Sequence, residues 1–322
     1  MRRVGSAAGI DLFAPADAYF SYFNSPYVGH KQGASIDIYP SHEEWGGPAY
    51  SPIAGQVIRI KKMRMGNKRI FPSDEADFGI AIAPEGSTDI VRILHCFPEI
   101  DEGTTVEAGQ RLGSLLRSRY FNYWTGPHYH IEIMNARDFS RATKSYPLNV
   151  ELNSVQQVQH EVASKLECLI TRVTDDIIMA VTNDSPIAIS GDLVGHVAYY
   201  GSDRRHGILD AGVPHYNHGG ILGLAKPVEE STLTAWGTNI GYAVLNLDSR
   251  LSFKRGELFQ PAFEGEIIRG VSCFAFTRRQ TVKGAPPVIM IPQQYGGFSG
   301  KFAEGDVGVL SFKRPNDIVK EQ

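Results

Sequence analysis

The strongest constraint on the fold is the stretch 125–133, with the sequence Thr-Gly-Pro-His-Tyr-His-Ile-Glu-Ile. Its Gly-Pro pair indicates a turn, and the polar–apolar alternation that follows is typical of a half-buried β-strand. Because successive strand side chains point to opposite faces, His128 and His130 share one face with Glu132 behind them. Two imidazoles projecting together suit a metal or a proton-transfer reaction, although a pair of exposed strand histidines explains the isolated motif equally well.

The composition extends this strand prediction to the whole chain. The 322 residues include 33 glycines and 18 prolines between many short runs of Val, Ile, Tyr and Phe, which favours short strands joined by tight turns. The length suggests two domains. A net charge of −3 gives no indication of a nucleic-acid or membrane surface. We therefore expect a mainly β protein.

Targeting signals and cysteines add two expectations. The N-terminus has a basic pair, Arg2 and Arg3, but no apolar run follows it, and no stretch of about 18 apolar residues could span a bilayer. The sequence as given predicts a cytoplasmic protein, or a secreted one if a leader was removed. Cys96, Cys168 and Cys273 are far apart, so we expect small buried hydrophobes rather than a metal knuckle or a disulfide framework.

A second polar pattern lies near the N-terminus. Asp37 falls in the alternating run 35–39, and His30 precedes it by seven residues. One carboxylate, one nearby imidazole and one distant strand imidazole would make a three-ligand catalytic zinc site with a fourth position for water. Taken alone, Asp37 is better explained as an edge-strand or turn aspartate. His95 ends the apolar run 90–95, where a single histidine is usually structural.

The order of these motifs resembles that of the lysostaphin/LytM-type zinc metallopeptidases, which cut short peptide bridges in bacterial cell walls. A His and an Asp are followed by the Pro-x-x-Gly-x-Val run 52–57, the strand ending in His95, the Val-x-x-Gly-Gln-x-x-Gly turn 106–113 and the Gly-Pro-His-x-His-x-Glu motif. The resemblance covers roughly residues 26–136. It implies a duplicated-hybrid-motif fold, an N-terminal antiparallel β sandwich or barrel-like domain with a groove over one sheet.

The same resemblance implies a set of roles for the site residues. The ligands of a Zn²⁺ cofactor would be His30, Asp37 and His130, with His95 and His128 as the unligated catalytic pair. Glu132 is a candidate for orienting a histidine beside the metal, although a plain salt bridge explains it equally well.

The spacing of the first two ligands departs from the family pattern. In the family the first histidine and the aspartate are usually four residues apart, whereas His30 and Asp37 are seven apart and Gly33 stands at the four-residue position. The three additional residues could form a bulge that returns His30 to the metal. Alternatively the first ligand is lost or replaced by a nearby side chain such as His42.

The resemblance implies a zinc-dependent metalloendopeptidase that hydrolyses a peptide or peptidoglycan-like substrate with a metal-activated water. The alternative is a catalytically silent peptidase-like binding or scaffold protein. A biotinyl- or lipoyl-type carrier has similar glycine-spaced strands, but Arg64 stands where its modifiable lysine would be. The sequence makes no prediction of oligomeric state.

The second half of the chain matches no family pattern. Val155, Val158, Val162, Leu166 and Leu169 repeat at three- and four-residue steps, which predicts a connecting helix over about 153–168. We place the peptidase-like domain at residues 1–148 and a β-rich accessory domain at residues 149–322. The pair His215 and His218 is a weak candidate for a second metal site, and a turn with exposed histidines fits better.

Overall fold

The computed structural model describes residues 1–40, 44–153, 155–157, 163–224, 231–256 and 259–313. These residues form a mainly β protein, as the composition predicts. The chain divides into two compact units. Unit 1 comprises Met1–Tyr22 and Tyr27–Glu151, and unit 2 comprises Phe23–Pro26 and Leu152–Gln322. The long second segment therefore begins three residues after position 149, the start predicted for the accessory domain.

In its described residues, unit 1 has twelve strands, one short helix and two short 3₁₀ turns. The strands are β1 (Arg2–Ala7), β2 (Ile10–Ala14), β3 (Tyr19–Ser21), β4 (Ser35–Tyr39), β5 (Pro48–Tyr50), β6 (Gly55–Arg64), β7 (Ala76–Ala83), β8 (Asp89–Leu94), β9 (Cys96–Pro98), β10 (Thr105–Val106), β11 (Arg111–Leu115) and β12 (Tyr129–Asn135). The helix α1 is Val28–Lys31, and the 3₁₀ turns are Ala136–Asp138 and Ala142–Lys144.

The main sheet of unit 1 has seven strands in the order β10-β6-β7-β8-β12-β4-β3. Every neighbouring pair is antiparallel. Strands β5, β11 and β9 form a smaller sheet, and β1 pairs with β2. The predicted alternation places Tyr129, Ile131 and Ile133 on the apolar face, where each is fully buried. Ile131 lies between Ile36 and Ile93 in the register, so this face forms a continuous core.

The opposite face of the main sheet, which we call the groove face, carries the polar side chains. His130 stands opposite Asp37 on β4 and opposite Leu94 on β8. Leu94 in turn stands opposite Gly79, and Gly79 opposite Lys61. Glu132 lies two residues further along β12, opposite Arg92. The sheet therefore fixes the lateral order of these groups.

The part of unit 2 that the structure describes has sixteen strands and one 3₁₀ turn, Arg278–Gln280. The strands are β13 (Gln156–Gln157), β14 (Lys165–Val173), β15 (Ile178–Val181), β16 (Ile187–Ser190), β17 (Leu193–Tyr200), β18 (Arg205–Val213), β19 (His218–Leu222), β20 (Thr232–Ala235), β21 (Thr238–Leu247), β22 (Arg250–Arg255), β23 (Gln260–Phe263), β24 (Glu266–Ile267), β25 (Gly270–Cys273), β26 (Phe276–Thr277), β27 (Pro287–Ile291) and β28 (Val307–Lys313).

Six of these strands close into a barrel. The order β17-β20-β21-β22-β19-β18 returns to its start because β18 also pairs with β17. From β18 the sheet continues through β25, β27, β15, β14, β28, β23 and β24. The apolar core of unit 2 includes Phe253, Phe263 and Trp236.

The connecting helix predicted over 153–168 is wrong for the residues that the structure describes there. Residues 156–157 and 165–168 are extended, and 154 and 158–162 lie outside the described residues. Along β14, Leu166, Cys168 and Ile170 are buried while the residues between them are exposed. This period of two is a strand pattern, and it places Leu166 and Leu169 on opposite faces. Their three-residue spacing was coincidental.

None of the helices in the described part of the chain has the length and hydropathy that a membrane span requires.

Candidate metal centre

The register of β4 and β12 brings the two strand ligands together. His130 and Asp37 are directly opposed, and both side chains are almost fully buried. Directly opposed Cβ atoms lie about 4.5–5.5 Å apart, so the side chains meet without bending the sheet. The imidazole Nδ1 of His130 lies 2.7 Å from Asp37 Oδ1.

The first ligand reaches the same point from α1. His30 lies in this single helical turn, and its Nε2 is 3.2 Å from Asp37 Oδ1 and 3.2 Å from His130 Nδ1. The seven-residue separation from Asp37 is therefore absorbed by a helical turn rather than by the bulge considered from the sequence. Gly33 ends that turn at φ +65°, a conformation that favours glycine. The alternative ligand His42 lies outside the described residues.

A second glycine lets α1 approach the sheet. A Cβ atom on Gly29 would lie 2.5 Å from Glu132 Oε1 and 3.0 Å from Ser35 Oγ. Real Cβ atoms do not approach polar atoms so closely, so only glycine permits this packing. The helix is thereby held against the strand that carries His130.

The hydrogen bonds assign the ring nitrogens of His30 and His130. His30 Nδ1 lies 2.8 Å from the Tyr22 carbonyl oxygen, which can only accept, so Nδ1 carries the proton and Nε2 offers a lone pair. His130 Nε2 lies 3.1 Å from Glu132 Oε1, so the same logic leaves Nδ1 as the ligating nitrogen. Histidines that bind a metal usually donate their other ring N–H to a carboxylate or a backbone carbonyl, as these two do.

The three donor atoms fit a small divalent cation. Tetrahedral coordination with bonds of about 2.0–2.1 Å places ligand atoms about 3.3–3.4 Å apart. The observed separations are 3.2 Å from His30 Nε2 to each of the other two donors, and 2.7 Å between His130 Nδ1 and Asp37 Oδ1. Two imidazoles and one carboxylate suit zinc. Among the described residues, these three form the group of His, Cys, Asp or Glu side chains whose donor atoms lie close enough together to hold a metal ion.

The electrostatics of the group are those of a site built for positive charge. Burial alone would raise the pKa of Asp37, but the surrounding imidazoles of His30, His128 and His130 hold it well below its usual range. Burial likewise disfavours a charged His130, yet hydrogen bonds to Asp37 and Glu132 raise its pKa to about 9. A proton thus occupies the place on Nδ1 that a metal ion would take.

Glu132 is the residue through which Arg92 joins the centre. Besides accepting from His130, Glu132 forms a buried ion pair with the Arg92 guanidinium. Arg92 Nη1 also donates to the Phe139 carbonyl at 2.6 Å. Although burial would raise the pKa of Glu132, His130 and Arg92 lower it to about 2. The carboxylate therefore stays charged and fixes the orientation of His130.

The two remaining histidines of the resemblance lie beside the three donors. His128 Nδ1 donates to the Gly126 carbonyl at 2.9 Å, and Nε2 faces Asp37 Oδ2 at 3.7 Å. Burial lowers the pKa of His128 to about 4 despite the attraction of Asp37. The ring centroid of His95 lies 5.3 Å from that of His128 and 6.1 Å from that of His130. All five predicted side chains therefore belong to one cluster.

Sequence reasoning missed Asp77, which orients His95. Its Oδ2 accepts from His95 Nδ1 at 2.6 Å, and its Oδ1 accepts from the backbone N–H of His95 at 3.0 Å. Burial would raise the pKa of Asp77, but the charge and hydrogen bond of His95 lower it below its usual range. His95 itself has φ +68°, a left-handed backbone that this double contact holds in place. Asp77 is the second residue of β7, and no motif in the sequence marks it.

The weak second site in unit 2 is not assembled. The single donor group found among the described residues contains neither His215 nor His218. His218 is buried in β19, and His215 packs on Tyr216 with its Nε2 3.4 Å from Ser272 Oγ. The preferred interpretation of a turn with exposed histidines is also wrong for His218, which is 7% exposed. The three cysteines are buried, as predicted.

Comparisons with known proteins place this geometry in context. A family profile described as "Domain of unknown function (DUF8155) N-terminal domain" matches residues 12–150. Two solved structures of lysostaphin are similar, one of them of the antimicrobial peptidase from Staphylococcus simulans. Each is 14% identical to this chain, covers 59% of it and 86% of the lysostaphin chain, and superposes with a TM-score of 0.25. No curated protein matches the chain. None of these findings identifies the chemistry, which has to come from the site itself.

Proposed function

We propose that this protein is a zinc-dependent metalloendopeptidase that hydrolyses a bond in a peptide or peptidoglycan-like substrate. The observation that carries the proposal is the convergence of His30 Nε2, Asp37 Oδ1 and His130 Nδ1, beside two histidines that are free of ligand duties. The motif order that resembles the lysostaphin/LytM-type peptidases supports the same conclusion. A zinc ion held by His30, Asp37 and His130 would supply polarisation of a carbonyl group and a bound water with its pKa lowered toward about 7.

His128 is suited to accept a proton. Its Nδ1–H is committed to the Gly126 carbonyl, which leaves Nε2 as the ring nitrogen that can accept a proton. The Nε2 lone pair therefore faces the centre and can take a proton from the attacking water.

His95 is suited to donate a proton. The Asp77 carboxylate accepts from Nδ1–H and stabilises positive charge on the ring, as an orienting aspartate does in a catalytic triad. The opposite nitrogen can then donate to the developing oxyanion or to the leaving amine. We assign His128 to the base role and His95 to the acid or oxyanion role.

The test compares zinc content and hydrolysis in two variants. The wild type should contain about one zinc per chain and hydrolyse peptides. His128→Ala should keep the zinc and lose about 10²–10⁴ in kcat, because a positioned acid or base contributes about that much. His206→Ala, in unit 2, is the matched control and should change neither measurement.

Three other outcomes would contradict the proposal. Loss of zinc in His128→Ala would mean that the roles of His128 and His130 are exchanged. A wild type that hydrolyses peptides without any metal would exclude zinc chemistry. A wild type with neither zinc nor hydrolysis would instead support the silent scaffold.

A further inference from the structure

A cavity of about 260 Å³ opens on the groove face beside the candidate metal centre. His95, His130 and Glu132 form the side of the cavity nearest the centre. Its floor continues across β8, β7 and β6, along the row in which Leu94, Gly79 and Lys61 stand next to one another. Because neighbouring strands lie about 4.8 Å apart, Gly79 is about 10 Å from His130. The cavity is thus within reach of a residue adjoining the scissile bond.

The lining of this cavity is mostly apolar. Met63, Leu94 and Phe139 supply aliphatic and aromatic surface, and Tyr27 and Tyr120 stand at the same cavity. The Tyr27 hydroxyl donates to the Tyr120 carbonyl at 2.7 Å, which ties these two segments together. Such a lining suits a ligand group without charge.

The charged groups at the cavity are already matched with partners. Arg92 and Glu132 form the buried ion pair described above. Lys61 is exposed, and its Nζ donates to Ser140 Oγ at 3.1 Å. A polar substrate group entering the cavity would have to compete with these contacts, whereas an apolar group would not.

The absence of a side chain at Gly79 keeps the cavity open. A Cβ atom there would lie 3.0 Å from Phe139 Cζ and 3.3 Å from Leu94 Cδ2. Both neighbours are side-chain ends, and the backbone of Gly79 lies in a regular strand, so a larger residue could be built by moving them. That residue would occupy the space that the glycine leaves free.

We propose that this cavity is the side-chain pocket for a substrate residue next to the scissile bond, and that it selects a bulky apolar residue, aromatic in particular. The inference rests on the proposed peptidase function and adds the substrate class. A cavity of about 150 Å³ lined by apolar side chains is large enough to bind benzene, so 260 Å³ accommodates a phenyl ring with its attached backbone. A substrate of glycine alone would leave the cavity without an apolar occupant.

The test uses two probes, acetyl-pentaglycine amide and the same peptide with phenylalanine at each position in turn. Binding to the zinc-loaded His128→Ala protein is measured by calorimetry, and cleavage is measured with the wild type. We expect one phenylalanine position to bind at least about tenfold tighter than glycine, because the cavity removes that side chain from water.

Two variants that fill the cavity test whether the preference for phenylalanine arises there. Gly79→Leu should fill the cavity and bring the phenylalanine-to-glycine ratio within about twofold. Met63→Trp narrows the cavity from β6 and provides a second variant if the first fails to fold. Gly66→Leu is the matched control, because its Cβ meets nothing within 4 Å, and it should leave both affinities unchanged.

The outcomes separate this inference from the function on which it rests. Equal affinity for the two peptide types, or a phenylalanine preference that persists in both filled variants, would overturn the pocket. Cleavage of all the peptides at equal rates would also overturn the pocket, but it would agree with the proposed peptidase function. A cavity-dependent preference in binding without any cleavage would support the pocket and overturn the peptidase.

Discussion

The histidines of the centre differ in what holds their second ring nitrogen. In His30 and His128 this nitrogen donates a hydrogen bond to a backbone carbonyl. In His130 and His95 it donates to a carboxylate. A carboxylate carries a full negative charge, whereas a carbonyl presents only a dipole, so hydrogen bonds to a carboxylate are shorter and stronger. The pairing of His95 with Asp77 therefore has a chemical consequence beyond packing.

Asp77→Asn tests this pairing. The amide cannot stabilise a charged imidazole, so kcat should fall by about 10²–10⁴, with zinc content and KM nearly unchanged. The exposed Asp101→Asn is the control and should behave as the wild type. Loss of zinc in Asp77→Asn, or an unaltered kcat, would show that Asp77 only supports the loop.

At the scale of elements, the single turn α1 decides whether His30 meets Asp37. Gly29 makes this possible because its missing Cβ leaves room for Glu132. An alanine in a helix is normally better than glycine by about 0.5–1 kcal/mol. Any loss of stability or zinc affinity in Gly29→Ala must therefore come from the contact between α1 and the sheet.

We expect Gly29→Ala to displace α1 or Glu132 and to weaken zinc binding by about 10–100-fold, the usual effect of disturbing a ligand's hydrogen-bond partner. Competition with a chromophoric chelator measures the affinity. Gly66→Ala, in open space, should bind zinc as the wild type does. Equal affinities in the two variants would mean that α1 does not position His30.

The sequence predicted strands better than it predicted the join between the two halves. The alternation around His130 and Asp37 was strong because one face of each strand is packed in the core. The run from Val155 to Leu169 misled because three- and four-residue steps also arise when apolar residues fall on both faces of a strand. Only tertiary packing, which buries Leu166 and exposes Leu169, decides between the two.

The candidate site shows the same limit. His30, Asp37, His95, His128 and His130 were found through a motif order, which carries spacing and residue type together. Asp77 and Arg92 were missed because their partners are 18 and 40 residues away in the chain. Nothing local marks either residue, and strand register alone brings them to the centre.

At the scale of the whole molecule, acid sensitivity should come partly from unit 2. His196 is fully buried, with Nδ1 3.0 Å from Ser185 Oγ and Nε2 donating to the Pro287 carbonyl at 3.3 Å. Burial lowers its pKa from 6.5 to about 4. Between these values the unfolded chain binds a proton that the folded chain does not, so stability falls as the pH falls.

The contribution of His196 is complete above about pH 6.5, declines down to about pH 4 and is constant below that. Its slope cannot exceed about 1.4 kcal/mol per pH unit, the value for one proton. His196→Gln removes the titration, so urea unfolding between pH 7 and 4 should depend less on pH in the variant. Parallel pH profiles for the two proteins would contradict this assignment.

The proposed function depends on His30, Asp37 and His130 holding one zinc ion together. A crystal structure of the protein grown with zinc tests it most directly. We predict one ion with His30 Nε2 and His130 Nδ1 at about 2.0–2.1 Å and Asp37 Oδ1 at about 2.0–2.2 Å. An ion bound without His30, or zinc absent from the centre at saturating concentration, would contradict this set of ligands.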